Sequence, residues 1–141
     1  MSCYSSPNAS QQEYEQLLQE IRLVVSQERN NIIICEDFNA KSPLWSCKRE
    51  DHRGKDLVTL ANMLDLRLIN EGSVATCIRP QGSSIIDTTW STLEIFSRIS
   101  NWTVEEDKIS LSDHKYIMFT VSAGNTNSPP ENRGCKNSLV V

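Results

Sequence analysis

No basic excess marks this sequence. Its 14 lysines and arginines stand against 18 acidic residues, for a formal net charge of −4. That balance argues against a tight non-specific DNA binder, though it leaves room for an enzyme with a locally basic cleft. No C-x-x-C pair is present either. The five cysteines (Cys3, Cys35, Cys47, Cys77 and Cys135) are odd in number and widely spaced. They read as reduced thiols of an intracellular protein, nuclear or cytoplasmic, and form neither a disulfide framework nor a zinc site. No apolar run approaches membrane length and no basic-then-apolar leader opens the chain, so no membrane association is expected. Asn8-Ala9-Ser10 and Asn101-Trp102-Thr103 match the glycosylation pattern, but nothing else suggests secretion. There is no internal repeat. What remains is an ordinary globular composition, 38% hydrophobic and 23% charged, in 141 residues. That is one domain or part of one, long enough to bury a core.

The chain is organised around Ile32-Ile33-Ile34-Cys35-Glu36-Asp37-Phe38-Asn39-Ala40. A strand covered on both faces loses its alternation and becomes a continuous apolar run. This one runs out into two carboxylates and an amide, at the end of a strand, where open sheets gather their ligand-binding loops. Asp37 and Asn39, two residues apart, point the same way in extended geometry. An anion beside an amide suits a hydrated metal or a phosphate. A plain Asx-type turn explains the same residues.

Before this strand, Ser10 and Glu13 form a capping box, and Tyr14, Leu17, Leu18, Ile21, Val24 and Val25 recur at helical spacing. The spacing predicts a helix over 11–27. After it comes a polar loop with Trp45, Lys48, Arg49 and Arg53, either a nucleic-acid surface or a solvated loop, since Glu50 and Asp51 are interleaved. Leu57, Leu60, Ala61 and Leu64 predict a second helix over 55–66. Short strands are expected over 67–70, 75–79, 83–91, 102–104 and 115–122, with a short helix over 93–98. Asp87 lies inside a β-rich apolar run, where an ionised carboxylate needs a partner unless its strand is an edge facing water. Ser112-Asp113-His114 precedes the last predicted strand, in which Ile117, Phe119 and Val121 alternate. A lone histidine there is usually structural. Together, however, Asp37, Asn39, Asp87, Asp113 and His114 supply acids, an amide and a titratable base beside predicted strand ends. The polar, breaker-rich segment 123–141 is expected to be a disordered tail after a domain over 1–122.

The ordered motifs resemble the endonuclease/exonuclease/phosphatase superfamily, specifically the C-terminal half of the apurinic-type endonuclease domain of non-LTR retrotransposons. They are Glu36-Asp37-Phe38-Asn39-Ala40, Ser42-Pro43-Leu44-Trp45, Arg53-Gly54, Leu68-Ile69-Asn70, Ser84-Ile85-Ile86-Asp87 and Ser112-Asp113-His114, with Tyr4-Ser5-Ser6-Pro7-Asn8 resembling the family's tyrosine-bearing strand end. The resemblance implies an α/β fold, half of a four-layer DNase I-like sandwich, with a mixed sheet and two packed helices. It implies Mg²⁺-dependent hydrolysis of DNA phosphodiesters, with Mn²⁺ as a substitute, and a reverse transcriptase domain in the parent element. Asp37 would orient and deprotonate the attacking water, and Asn39 would contact the scissile phosphate. Asp87 would hold His114, whose imidazole would stabilise charge on the phosphate. Asp113, with Asp37, would bind the metal, and Tyr4 would sit near the phosphate.

The resemblance also carries two departures. The family's N-terminal half, with its glutamate metal ligand, is expected to be missing, and Glu36 replaces the signature glycine. A glutamate there is expected to add charge beside Asp37 and raise its pKa or displace the metal. These departures keep two alternatives open, a non-enzymatic remnant or binding module and a phosphatase of the same superfamily. They also lead to the expectation that the sheet's inner face is exposed apolar surface, prone to self-association.

Overall fold

The computed structural model describes residues 2–4, 6–28, 31–123 and 138–140, with the side chains of 6–28 and 31–123. The order is β1 (Ser2–Tyr4), α1 (Gln11–Glu28), β2 (Ile33–Asp37), α2 (His52–Met63), β3 (Arg67–Leu68), β4 (Cys77–Arg79), β5 (Gly82–Ser84), β6 (Asp87–Ser91), α3 (Leu93–Phe96), β7 (Ile99–Glu105), β8 (Tyr116–Val121) and β9 (Ser138–Val140). A mixed sheet runs β1-β2-β6-β3, β4 and β5 form a hairpin, and β7-β8-β9 form a second sheet. Within the mixed sheet β1 lies parallel to β2, and the other pairs are antiparallel.

β2 separates two cores, because alternate side chains leave a strand on opposite faces. On one face Ile34 and, just past the strand, Phe38 meet Tyr14, Leu18, Ile21 and Val25 of α1 and Leu57, Leu60 and Ala61 of α2. On the other, Cys35 packs with Ile69, Trp102, Val104, Ile117 and Phe119, and Ile33 borders that cluster. The fold is therefore helices, mixed sheet and second sheet in layers, the α/β class the sequence implies. α1 begins at the expected box: the Ser10 backbone N–H donates to Glu13 Oε2 at 2.7 Å, and the Glu13 N–H donates to Ser10 Oγ at 3.2 Å. Among the described residues no helix is long and apolar enough to cross a membrane, and Cys35, Cys47 and Cys77 are free thiols.

Four expectations change. The second helix starts at His52 instead of 55, because the Asp51 side chain caps it by accepting the Gly54 N–H at 2.8 Å. It ends at Met63 because Asp65 turns left-handed, with φ 53°. The single strand expected over 83–91 is two, β5 and β6, since the Thr76 hydroxyl accepts the backbone N–H groups of Ile86 (3.1 Å) and Asp87 (3.2 Å) between them. The inner sheet face is not exposed apolar surface: β7 and β8 cover it, with Trp102 and Phe119 buried there. The expected tail lies mostly outside the described residues, and within it residues 138–140 pair with β8.

Candidate active site

The site forms where β2 and β6 end side by side. Their antiparallel register sets Asp37 directly opposite Asp87, a like-charged pair that costs stability unless a cation or proton intervenes. His114 supplies the bridge. Its Nδ1 lies 2.9 Å and 3.1 Å from the two Asp87 carboxylate oxygens, and its Nε2 is 3.6 Å from Asp37 Oδ2. A carboxylate only accepts, so Nδ1 carries the proton and Nε2 is turned toward Asp37. The carboxylates and the imidazole are largely sheltered, with side-chain exposures of 11% for Asp37, 16% for Asp87 and 27% for His114. The lone acid in an apolar run thus has its partner, and β6 is an interior strand with Asp87 at its mouth.

Asn39 completes the cluster. Its left-handed backbone, φ 46°, lets both its N–H and its Nδ2 donate to Asp37, to Oδ1 and Oδ2 respectively, each at 3.0 Å. The Asx turn is therefore present, and it is also what fixes the carboxylate. The loop ahead of β8 places His114: Cys77 bridges to it, the Lys115 N–H donates to the Thr76 carbonyl at 2.8 Å, and the Ile78 N–H donates to the Asp113 carbonyl at 2.8 Å. Two further residues, outside the candidate set, orient Asp87. The Thr76 hydroxyl donates to Asp87 Oδ2, and the Asn70 side chain spans the Asp87 carbonyl (3.0 Å) and the Thr89 N–H (2.7 Å). Asn70 had a signal in Leu68-Ile69-Asn70. Thr76, a threonine in a loop, had none.

The structure brings together Asp37, Asn39, Asp87 and His114. It does not bring in the Asp113 carboxylate, which pairs with Arg79 at 3.2 Å on the surface. Tyr4 ends β1 in register with Asp37, and its side chain lies outside the described residues. Glu36 is buried, 4% exposed, on the strand position that alternates away from Asp37. The Asp37 carboxyl is held above the usual range, first by burial and then by Asp87, against the opposing pull of the Asn39 hydrogen bonds and His114. Glu36 is not among these causes, so the charge expected to perturb Asp37 from the neighbouring position comes instead from across the strand. Burial likewise raises Asp87, opposed by Thr76 and then His114.

A carboxyl whose folded-state pKa is raised contributes stability below its unfolded pKa and loses it as pH rises through the folded value. Asp37→Asn should therefore be more stable than the parent at pH 7, by a few degrees in Tm, roughly. The gain should vanish as pH falls below the ordinary carboxylate range. Paired thermal melts in chelator across pH 3–8 check this, and an equal or larger gain in acid would refute it.

Asp37, Asp87 and His114 each offer a ligand atom, all within 4.8 Å of one another, and they are the three-residue group among the described residues that could hold a metal ion. Asp87 and His114 already engage each other, which leaves Asp37 as the carboxylate for a hard cation. A buried, desolvated carboxylate fits a hydrated divalent ion, but one such ligand holds Mg²⁺ only weakly.

A family model described as endonuclease–reverse transcriptase matches residues 1–118. Among solved structures, the endonuclease domain of TRAS1, a telomere-specific non-LTR retrotransposon, is similar over 86% of this chain, with 32% identity and a TM-score of 0.77. The chain spans 56% of that domain's length. No curated protein matches.

Proposed function

The chain belongs to the endonuclease–reverse transcriptase family, and from that premise we propose that its site hydrolyses a DNA phosphodiester with a divalent ion, Mg²⁺ or Mn²⁺. A reverse transcriptase domain is the expected neighbour in the parent element. The observation that carries this reading is the imidazole of His114 bridging two carboxylates on facing strand ends, beside a fixed amide. Asp87 holds Nδ1, so Nε2 is turned to the side of Asp37, where, once protonated, it would stabilise negative charge on a phosphoryl oxygen. Asp37, whose carboxyl burial holds above the usual carboxylate range, is suited to take the proton of an attacking water. Asn39 Nδ2 is a donor for a non-bridging phosphate oxygen. The register of Tyr4 with Asp37 puts β1's end at the same rim. Asp37 would be the protein ligand of the metal, which would supply charge neutralisation at the phosphate. Asp113, paired with Arg79, stands apart from that role.

The test separates chemistry from metal affinity. Carried within an endonuclease domain as long as its relative, the chain should nick supercoiled DNA only with Mg²⁺ or Mn²⁺. Residues 1–141 alone should give weak calorimetric binding of either ion and little nicking. Nicking undiminished in chelator would refute the metal-assisted reading. Tight saturable binding by the chain alone would refute the single-carboxylate ligand set.

A further inference from the structure

A cavity of about 510 Å³ lies beside the site, and a second, of about 580 Å³, adjoins it. The first includes Asn39 in its wall, so it opens directly onto the candidate site. Lys41 and Ser84 line both cavities, so the two adjoin, and together they form a trough from Asn39 past Lys41 to Lys48 and Arg49. Its charge runs against that of the whole chain, which is −4. Lys41, Lys48, Arg49 and Arg79 lie along it. The one acid in its wall, Asp51, is occupied: its Oδ1 accepts the N–H of Lys41 at 3.0 Å and of Gly54 at 2.8 Å. Arg53 also borders the trough but is spent on structure, donating to the carbonyls of Ser6 (3.1 Å) and Ala9 (2.6 Å) and lying over the Tyr14 ring. Arg79 pairs with Asp113 in an exposed ion pair, which solvent screening makes cheap to exchange. Lys41, Lys48 and Arg49 are exposed.

We infer that this trough holds the sugar–phosphate backbone of the DNA strand leading away from the scissile bond, with Lys41, Lys48 and Arg49 each meeting a phosphate. The inference rests on the hydrolytic reading for its direction, since the trough begins at Asn39. A local groove of cations on an acidic chain concentrates phosphate contacts where cleavage occurs and leaves the remaining surface unattractive to DNA. Contacts of this kind position the strand without reading its sequence.

The experiment measures anisotropy of a short labelled DNA duplex with the full chain, in chelator, over a range of salt. Each phosphate contact contributes close to one unit to the slope of log affinity against log salt. Lys48→Gln with Arg49→Gln should flatten the slope by about two and weaken binding about tenfold or more at low salt, alike for unrelated duplexes. Arg22→Gln with Arg67→Gln, on α1 and on β3, removes the same charge outside the trough and should leave the slope unchanged. An unchanged slope in the trough variant, an equal flattening in the control, or no salt-dependent binding by the parent would each overturn the inference. The two readings fail separately. A flattened slope together with nicking that ignores Asp37→Ala keeps the trough and removes the hydrolytic role. Nicking that needs Asp37 with an unaltered slope does the reverse.

Discussion

Replacing His114 with alanine should slow single-turnover nicking of supercoiled DNA by roughly a hundredfold or more, the range that a positioned acid–base group contributes. The expectation follows from position. His114 Nδ1 is committed to Asp87 at 2.9 Å, which leaves Nε2 to meet whatever enters beside Asp37. Asp37→Ala should cost as much, because it removes both the proton acceptor and the carboxylate available to the metal. Asp87→Asn should act through His114: it keeps the shape but forfeits the charge that selects the Nδ1–H tautomer, so it should lower the rate by itself and add little when combined with His114→Ala. The measurement is the single-turnover nicking rate of these variants within the complete endonuclease domain, with thermal melts to show that each folds. A His114→Ala rate equal to the parent's would show that the imidazole only braces the two carboxylates.

Much of this site was legible because its parts lie where strands end. Ile32 to Ala40 announced a buried strand running into polar residues, and β2 ends at Asp37. Asp87 was legible as a problem, an acid where burial forbids an unpaired one, and His114 is its solution. Which residues would meet was harder to read. Asp113 and His114 are adjacent, yet one faces solvent with Arg79 and the other faces Asp87, because consecutive side chains diverge. The same rule explains why Glu36 does not act on Asp37 as expected: one residue away, it is buried facing away from the site. Thr76 was invisible because its role depends on the loop that carries it folding back over β6, a long-range contact with no local pattern. The covered inner face was missed for a related reason. The strands of β7 and β8 were expected, but sequence does not say that they leave the mixed sheet and pack across it.

Gly54→Ala should destabilise the chain by about 3 kcal/mol or more, moving the urea midpoint by roughly 1–2 M. On propensity alone the sign would be opposite, since glycine inside a helix is about 1 kcal/mol worse than alanine. Packing decides the matter. A Cβ built on Gly54 would lie 1.9 Å from the carbonyl oxygen of Lys41 and 3.2 Å from Asp51 Oδ1. The Lys41 oxygen belongs to backbone and cannot swing aside as a side chain does. The loop is also tied down at both ends. The Asp51 N–H donates to that Lys41 carbonyl at 3.0 Å, while the Lys41 and Gly54 N–H groups both donate to Asp51 Oδ1, at 3.0 and 2.8 Å. Making room for one methyl therefore stretches three hydrogen bonds together, each worth about 1 kcal/mol. The close approach that needs a glycine lies here, at the first turn of α2, and not at position 36, where the side chain has the helical layer to enter. Because the loop from Lys41 to Asp51 begins just beyond Asn39 and carries Lys48 and Arg49, the strain should reach the trough as well as the fold. Paired urea melts of Gly54→Ala and of His52→Ala, an exposed position in the same turn, make the test. A Gly54→Ala midpoint at or above the parent's would mean that the loop yields freely and that the cap does not anchor it.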